Sequence, residues 1–167
     1  IEDFFKNHGF QILPLSSFLK DCSLPKGFYP EKKILPSFQK YILDSAEVGI
    51  NLLNTISRFD VGQSAVVSFK LVYAIEGQEG TDRMIDRAGT LSNKNKIITN
   101  PGPVLIKIPK IDQNINLDPP VVGFETVRKC IENNFSSLVV SSNGTIIFEL
   151  KKIMNLINKK NFVIYVV

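Results

Sequence analysis

The clearest pattern of apolar positions lies between Ser37 and Ser57, where it predicts an amphipathic helix with Ser37 as its N-cap. Apolar or small residues recur there every three or four positions and form one stripe: Phe38, Ile42, Ala46, Gly49, Leu53 and Ile56. The following run AVVSFKLVYAI is rich in β-branched and aromatic residues and predicts strand structure. A bend near Ser68 to Lys70 would fold it into a hairpin.

Strand and helix patterns alternate through the rest of the chain. Helices are predicted from Thr81 or Asp82 to Ala88 with Gly89 as the stop signal, over 124–134 and over 151–158; strands are predicted over 104–108 and 162–167. Residues 90–102 are polar and predict a mobile loop. Asn143-Gly144 predicts a β-hairpin between strands 137–142 and 145–150. These elements predict an α/β fold with a mixed sheet and flanking helices.

The first thirty residues have a different character. They predict the end of a helix over 1–7 with Gly9 as its stop, a short strand over 10–13 and a helical turn over 16–20. Pro25, Gly27 and Pro30 then indicate a linker. We therefore expect residues 1–30 to be the end of something larger plus a linker, with a domain boundary near residue 30.

Composition narrows the function classes. The chain has 167 residues, of which 44% are hydrophobic and 22% charged, which is ordinary for one globular domain and argues against disorder. The net charge of +4 is modest and the aromatic residues do not alternate with basic ones, so we expect no nucleic-acid partner. Cys22, Cys130 and the single His8 match no metal or disulfide spacing. With no stretch long enough to cross a bilayer, the sequence predicts a cytoplasmic protein.

Polar residues at both ends of the predicted hairpin are the first candidates for chemistry. Folding at the bend would bring together four carboxylates, an amide and a hydroxyl: Asp60, Gln63, Glu76, Glu79, Thr81 and Asp82. Such groups beside flexible glycines suit a hydrated divalent cation and a phosphate ester. In the alternative interpretation, Gly77 and Gly80 only interrupt loops and Asp82 only begins a helix. The spacing leaves both open.

A second polar segment, from Lys107 to Asp118, competes for the site. Lys107 and Lys110 supply ammonium groups that can neutralise phosphate oxygens. Asp118 precedes Pro119-Pro120, which would hold its backbone while its carboxylate orients a water or holds a cation. Alternatively, Lys107 only extends its amine from a strand to solvent and Asp118 is a turn residue. These two interpretations also remain open.

Taken in order, the motifs DVGQ, VV, AIEGQEGTD, VLIKIPK and LDPPVVGFETV resemble a known family. They are similar to the C-terminal domain of UDP-2,3-diacylglucosamine pyrophosphatases of the LpxI type, which act in lipid A biosynthesis. The resemblance runs from about residue 34 to the C-terminus. It implies that residues 1–30 are the tail of a largely missing N-terminal nucleotide-fold domain plus a linker, and that 31–167 form a C-terminal domain of catalytic type. It also implies that substrate lies between the two domains.

The resemblance also implies an activity and a site. The activity is metal-assisted hydrolysis of the diphosphate of UDP-2,3-diacylglucosamine, giving UMP and 2,3-diacylglucosamine 1-phosphate. The implied catalytic residue is Asp118; the substrate-binding residues are Gln63, Thr81, Lys107, Lys110 and Gln113; the ligands of a divalent metal, Mg²⁺, are Asp60, Glu79 and Asp82. The implied partners are the UDP-linked acylated glucosamine, the missing N-terminal domain and, through the lipid substrate, the surface of the inner membrane.

Two departures from the family pattern favour a second hypothesis. Lys110 to Asn114 has the sequence KIDQN where the family usually has Lys-Pro-Gly-Gln-Asp, and Asn116 stands where an arginine is usual. The loss of that arginine removes a bidentate phosphate contact. The alternative function is therefore a non-catalytic remnant or split-gene domain that binds a nucleotide sugar or a partner chain.

Overall fold

Helices and strands alternate along the chain as the sequence predicts. The structure, a computed structural model, describes residues 2–13, 15–19, 21–31, 34–94, 100–111 and 113–167. The α-helices of this part are α1 (Glu2–Asn7), α2 (Pro36–Ile56), α3 (Thr81–Lys94), α4 (Phe124–Glu132) and α5 (Leu150–Lys159). The strands are β1 (Gly27–Tyr29), β2 (Ser64–Ser68), β3 (Leu71–Ile75), β4 (Val104–Lys107), β5 (Val121–Val122), β6 (Ser137–Val140), β7 (Ile146–Ile147) and β8 (Val163–Val166). Single 3₁₀ turns cover Leu15–Ser17 and Ser57–Phe59.

A six-stranded mixed sheet forms the centre of the fold, in the order β1-β8-β6-β4-β2-β3. Strands β4, β6 and β8 run parallel, whereas β2 pairs antiparallel with both β4 and β3. Strand β1 pairs antiparallel with β8 at the other edge. The short strands β5 and β7 form a separate parallel pair. The predicted α/β class with a mixed sheet and flanking helices is confirmed.

The core has two layers, one on each face of the sheet. On one face α2 packs Ile42, Ala46 and Leu53 against Ile106, as its apolar stripe predicts. Gly49 permits this approach, because a Cβ there would lie 2.7 Å from Cγ1 of Ile106. On the opposite face the buried side chains come from α3, α4 and α5 and pack against β2, β4, β6 and β8: Met84, Ile85, Val127, Cys130, Ile153, Ile157, Val66, Leu105, Leu138 and Ile164.

One predicted hairpin is confirmed and the other is wrong. Phe69 and Lys70, with φ of 48° and 64°, form the turn that joins β2 to β3. Asn143-Gly144 also lies in a turn, but β6 and β7 do not pair; each has a parallel partner in a different sheet. All four residues of β6 are buried, which is typical of a central strand in a parallel sheet rather than of a hairpin arm.

The predicted helix ends differ from the structure at two places. Ser37 is not the N-cap of α2, because Leu35 occupies that position and Pro36 begins the first turn. Gly89 does not end α3 but lies inside it, where a Cβ would meet Oδ1 of Asn133 at 2.1 Å. Because glycine has no side chain, α3 can approach the end of α4 closely at this position. The mobile-loop prediction is wrong for 90–94, which are helical; 95–99 lie outside the described residues.

The N-terminal segment agrees with the prediction in part. Helix α1 is confirmed, and a single 3₁₀ turn over Leu15–Ser17 overlaps the helical turn predicted over 16–20, whereas residues 10–13 form no strand. Strand β1 lies inside the segment interpreted as a linker and is an integral edge of the sheet. The assignment of residues 1–30 to the tail of another domain stays a prediction. Among the described residues, no helix combines the length and apolar character needed to span a membrane.

Candidate functional site

Polar residues converge where the parallel strands end. Strand β4 ends at Lys107, and its antiparallel neighbour β2 begins at Ser64, which lies opposite Lys107 in the register. Glu76 follows β3, and its backbone N–H donates to the carbonyl of Ser64 at 2.9 Å. Helix α3 begins nearby at Thr81. In open α/β sheets, ligands bind outside the carboxyl ends of the strands, so this edge is the expected place for a site.

Four of these residues form a buried hydrogen-bonded group, the Lys107 cluster: Ser64, Glu76, Thr81 and Lys107. Nζ of Lys107 donates to Oγ1 of Thr81 at 2.6 Å, and Thr81 donates to Oε1 of Glu76 at 2.7 Å. Oγ of Ser64 lies 3.3 Å from the same threonine oxygen. All four side chains are buried. The fold thus encloses a lysine at the end of a strand and provides it with a hydroxyl and a carboxylate.

Charge in the Lys107 cluster is balanced against burial. Burial lowers the pKa of Lys107 below its ordinary value, while the carboxylates of Glu76 and Asp82 act in the opposite direction. Asp82 accepts a hydrogen bond from Oγ1 of Thr126 at 3.1 Å. Gln63 donates its backbone N–H to Oε2 of Glu76 at 3.3 Å. Its own side-chain oxygen is buried and has no hydrogen-bond partner in the part of the chain described.

A second group, the Lys110 pocket, lies beyond the end of β4. This pocket of about 320 Å³ is lined by Ser57, Arg58, Asp60, Lys110, Gln113 and Asp118. Lys110 pairs with Asp60 and holds the pKa of that carboxyl below its usual value. Gln113 donates from Nε2 to the backbone oxygen of Asp118 at 2.6 Å and lies 3.4 Å from its Oδ2. Two cationic residues, an amide, a serine and two carboxylates therefore line one open cavity.

The two groups lie on adjacent stretches of backbone. Lys107 ends β4, Lys110 follows after two residues, and the N–H of Ile108 donates to the carbonyl of Gln63 at 3.1 Å. Among the predicted site residues, Gln63, Thr81 and Lys107 meet at the Lys107 cluster, with Asp82 close by. Four others meet at the pocket: Asp60, Lys110, Gln113 and Asp118. Lys107 is not among the residues that line the pocket, and the catalytic and binding roles of all these residues stay predictions.

The three predicted metal ligands do not come together. Asp60 pairs with Lys110, Glu79 with Arg87 at 2.6 Å, and Asp82 with Thr126. The described ranges contain no group of three or more His, Cys, Asp or Glu side chains placed to hold a metal ion. The residues in this arrangement do not fit a metal site, so no step of the chemistry below passes through one. The prediction of a divalent metal stays a prediction.

Some site residues escaped the sequence argument. Ser64 and Thr126 were not candidates, because a lone hydroxyl at the start of a strand or inside a helix carries no distinguishing signal. Ser57 and Arg58 line the pocket but belong to the end of the α2 pattern in sequence. Their position just before Asp60 is the one clue, since the 3₁₀ turn at Ser57–Phe59 places them beside it.

A larger cavity of about 820 Å³ opens at the opposite end of the sheet. Its walls include Leu35, Phe38, Tyr41, Phe69 and Phe162, and none of the predicted site residues lines it. It lies beside the first residues of β4, β6 and β8, whereas the Lys107 cluster lies at the last residue of β4. The smaller, polar pocket, by contrast, is lined by four of the predicted site residues.

Comparison with known proteins agrees with the motifs. The family model described as the LpxI C-terminal domain matches residues 33–165. The chain is 27% identical over 154 residues to the UDP-2,3-diacylglucosamine pyrophosphatase LpxI of Caulobacter vibrioides. That match covers 91% of this chain and 53% of the relative, so the chain spans about half the length of the curated relative it matches. With a family model matched across most of its length, the chain belongs to the LpxI C-terminal domain family.

Proposed function

We propose that this chain is the C-terminal half of an enzyme that hydrolyses the diphosphate of UDP-2,3-diacylglucosamine in lipid A biosynthesis. The products are UMP and 2,3-diacylglucosamine 1-phosphate. One observation carries the proposal: Asp60, 50 residues before Lys110 in the sequence, lines the same pocket as Lys110, Gln113 and Asp118 at the carboxyl end of the central strand. The relative's name supports the choice of substrate.

Charge supports a phosphate ligand in this pocket. Lys110 and Arg58 bring cationic groups to its wall, and the buried Lys107 ammonium lies three residues before Lys110 on the same edge of the sheet. Lys110 is held by Asp60 in the structure described. In the proposed complex a phosphate oxygen replaces this carboxylate on Lys110, which keeps the cation paired throughout binding.

Asp118 is the proposed catalytic residue. Its carboxylate accepts a proton from water while the water oxygen attacks one phosphorus of the diphosphate. The bond from that phosphorus to the bridging oxygen breaks, and the bridging oxygen leaves with the other phosphate. Gln113 donates from Nε2 to the backbone oxygen of Asp118 at 2.6 Å and so holds the backbone of this residue beside the pocket. A positioned general base contributes about 10²- to 10⁴-fold to such a step.

The proposal includes a second domain, supplied by a segment that this chain does not contain. The chain matches only 53% of its relative's length, and we propose that the substrate lies between the two domains. Fixing substrate and catalytic groups together accounts for about 7 to 11 kcal/mol of a barrier, so half of the site should be a poor catalyst. The proposed location is the cytoplasm, at the surface of the inner membrane where an acylated substrate resides.

The test is Asp118→Asn in a two-domain protein that contains this chain. We expect turnover of UDP-2,3-diacylglucosamine to fall by about 10²-fold or more, while substrate affinity and thermal unfolding stay as in the parent. Glu47→Gln, which alters an exposed carboxylate on α2 away from both groups, is the matched control and should change neither.

Two results would contradict the proposal. If Asp118→Asn turns over substrate at the parental rate, the carboxylate has no catalytic role. If the parent two-domain protein binds UDP-2,3-diacylglucosamine without hydrolysing it, the alternative hypothesis of a non-catalytic binding domain is correct.

A further inference from the structure

The direction of the hydrogen bonds in the Lys107 cluster follows from counting protons. A threonine hydroxyl has one proton to donate and two lone pairs to accept with. Lys107 is an ammonium donor, so its 2.6 Å contact makes Thr81 Oγ1 an acceptor. The single proton of Thr81 points to Oε1 of Glu76 at 2.7 Å. Ser64, at 3.3 Å, must then donate to Thr81 and not accept from it.

Both side-chain oxygens of Glu76 accept a hydrogen bond in this arrangement. Oε1 accepts from Thr81, and Oε2 accepts from the backbone N–H of Gln63 at 3.3 Å. The side chain is buried at 9% exposure, so both of these hydrogen bonds come from the protein and hold the carboxyl group in place beside Thr81.

We propose that Glu76 is a positioning residue that acts through Thr81 and holds the Lys107 ammonium charged and oriented at the edge of the sheet. The resemblance assigns Lys107 and Thr81 to the site but gives Glu76 no role. The chain of bonds from Lys107 to Thr81 to Glu76 uses one of the three ammonium protons, which leaves two N–H groups for other acceptors. For the ligand that Lys107 meets, the inference rests on the proposed function.

In the part of the chain that the structure describes, two carboxylates and a hydroxyl act on the charge of Lys107. The groups facing it are Thr81 and Asp82 from α3, Ser64 from β2 and Glu76 from the loop after β3. Burial lowers the pKa of Lys107, and the two carboxylates oppose that effect. Glu76 is the larger of the two opposing carboxylate effects, and it is also the one linked to Lys107 through the hydroxyl of Thr81, so removing its charge strengthens the effect of burial. The pKa of Lys107 must then fall further, and the amine loses its proton at a lower pH.

The experiment measures the pKa of Lys107 by NMR of lysine side chains labelled with ¹³C and ¹⁵N, with Lys107→Met used to assign the signal. In Glu76→Gln we expect the Lys107 pKa to fall by about one unit or more, which corresponds to about 1.4 kcal/mol of lost interaction with the charged form. Glu47→Gln is the matched control and should leave the Lys107 pKa unchanged. An unchanged pKa in Glu76→Gln would overturn the inference.

The role of Thr81 needs its own pair of variants. Thr81→Ser keeps the hydroxyl and should preserve the Lys107 pKa, whereas Thr81→Val removes the hydroxyl and should lower it. This pair also carries the test if Glu76→Gln does not fold. If Thr81→Val leaves the Lys107 pKa at the parental value, Glu76 does not act through Thr81 and the inference is wrong.

Inorganic pyrophosphate separates this inference from the proposed function. If Lys107 binds a phosphate, pyrophosphate should shift the NMR signal of the Lys107 side chain in the parent chain. This effect of pyrophosphate should disappear at high pH, where Lys107 loses its proton, and in Glu76→Gln it should disappear at a pH about one unit lower. If pyrophosphate leaves Lys107 unaffected while Glu76→Gln still lowers its pKa, the positioning role of Glu76 holds and the assignment of Lys107 to the diphosphate fails.

Discussion

Gly62 offers a direct test of how the loop over 60–63 supports the site. Its Cα lies against the backbone of Glu76, where a Cβ would stand 2.3 Å from the carbonyl oxygen and 2.9 Å from the carbonyl carbon. Glu76 cannot easily yield, because its N–H is bonded to Ser64 at 2.9 Å and its carboxylate receives the N–H of Gln63. Gly62→Ala therefore forces the loop and Glu76 apart.

The size of the effect follows from this contact. Restoring ordinary van der Waals distance, which begins near 3.4 Å, requires a separation of about 1 Å. Overpacking of this kind costs about 1 to 3 kcal/mol. The reduced freedom of the unfolded chain returns about 0.4 to 1 kcal/mol. The net loss of about 1 to 2 kcal/mol corresponds to a fall in Tm of roughly 2 to 8 °C for a domain of this size.

Thermal unfolding followed by circular dichroism measures this loss. The matched control is Gly123→Ala, because no atom lies within 4 Å of a Cβ built at Gly123. Gly123 is the N-cap of α4, where alanine costs about 0.5 to 1 kcal/mol, but its φ of −102° suits alanine and the reduced freedom of the unfolded chain returns about 0.4 to 1 kcal/mol, so the control should change Tm little. In the two-domain protein, displacement of Glu76 by about 1 Å should also lower turnover by roughly 10²-fold. Equal Tm values for the two variants would refute the argument that the loop rests on Glu76.

Two further predictions concern the phosphate and the metal. Asn116→Arg restores, at an exposed loop position, the cation that is usual in the family. In a two-domain protein it should tighten pyrophosphate binding by about tenfold or more, since a charge-assisted hydrogen bond contributes about 1.5 to 3 kcal/mol. Unchanged affinity by calorimetry would mean that the phosphate is held elsewhere. If Asp60, Glu79 and Asp82 hold Mg²⁺, an NMR titration with Mg²⁺ should shift their backbone amide signals together, and far more than the amide signal of Glu47. EDTA should reverse the shift. Unchanged amide signals would exclude these three residues as ligands.

Elements with a complete local pattern were predictable from the sequence. The stripe of α2, the β-branched run of β2 and β3, and the last helix and strand all carry their own local pattern, so these elements could be predicted without knowledge of their partners. Burial was less predictable, because Leu71 and Val72 of β3 are exposed although the run is apolar. Strand β1 has only three residues between Gly27 and Pro30, and its pairing with β8 depends on residues far along the chain. Asn143-Gly144 specifies a turn but not whether the flanking strands pair with each other or with different neighbours.

Individual site residues could be predicted from the sequence, but the contacts between them could not. The motifs placed Lys107, Thr81 and Asp118 as candidates, and the hairpin correctly brought Gln63 close to Glu76. The contact of Lys107 with Thr81 spans a sequence separation of 26 residues and depends on the register of β2 with β4. The separation of Asp60, Glu79 and Asp82 among different partners likewise depends on where Arg87 and Lys110 lie, which no local pattern specifies.

The pairing of β1 with β8 has a consequence for synthesis of the protein. Gly27–Tyr29 are translated before the other strands of the sheet, but their partners over 164–166 are translated after all of them. The stacking of Phe28 on Tyr165, with ring centroids 4.3 Å apart, likewise forms only after Tyr165 has been translated. Contacts of such high sequence separation form slowly because the loop between them must first be ordered. During translation this edge of the sheet is therefore the last to close, and β1 meanwhile remains an unpaired strand that chaperones or neighbouring chains can bind.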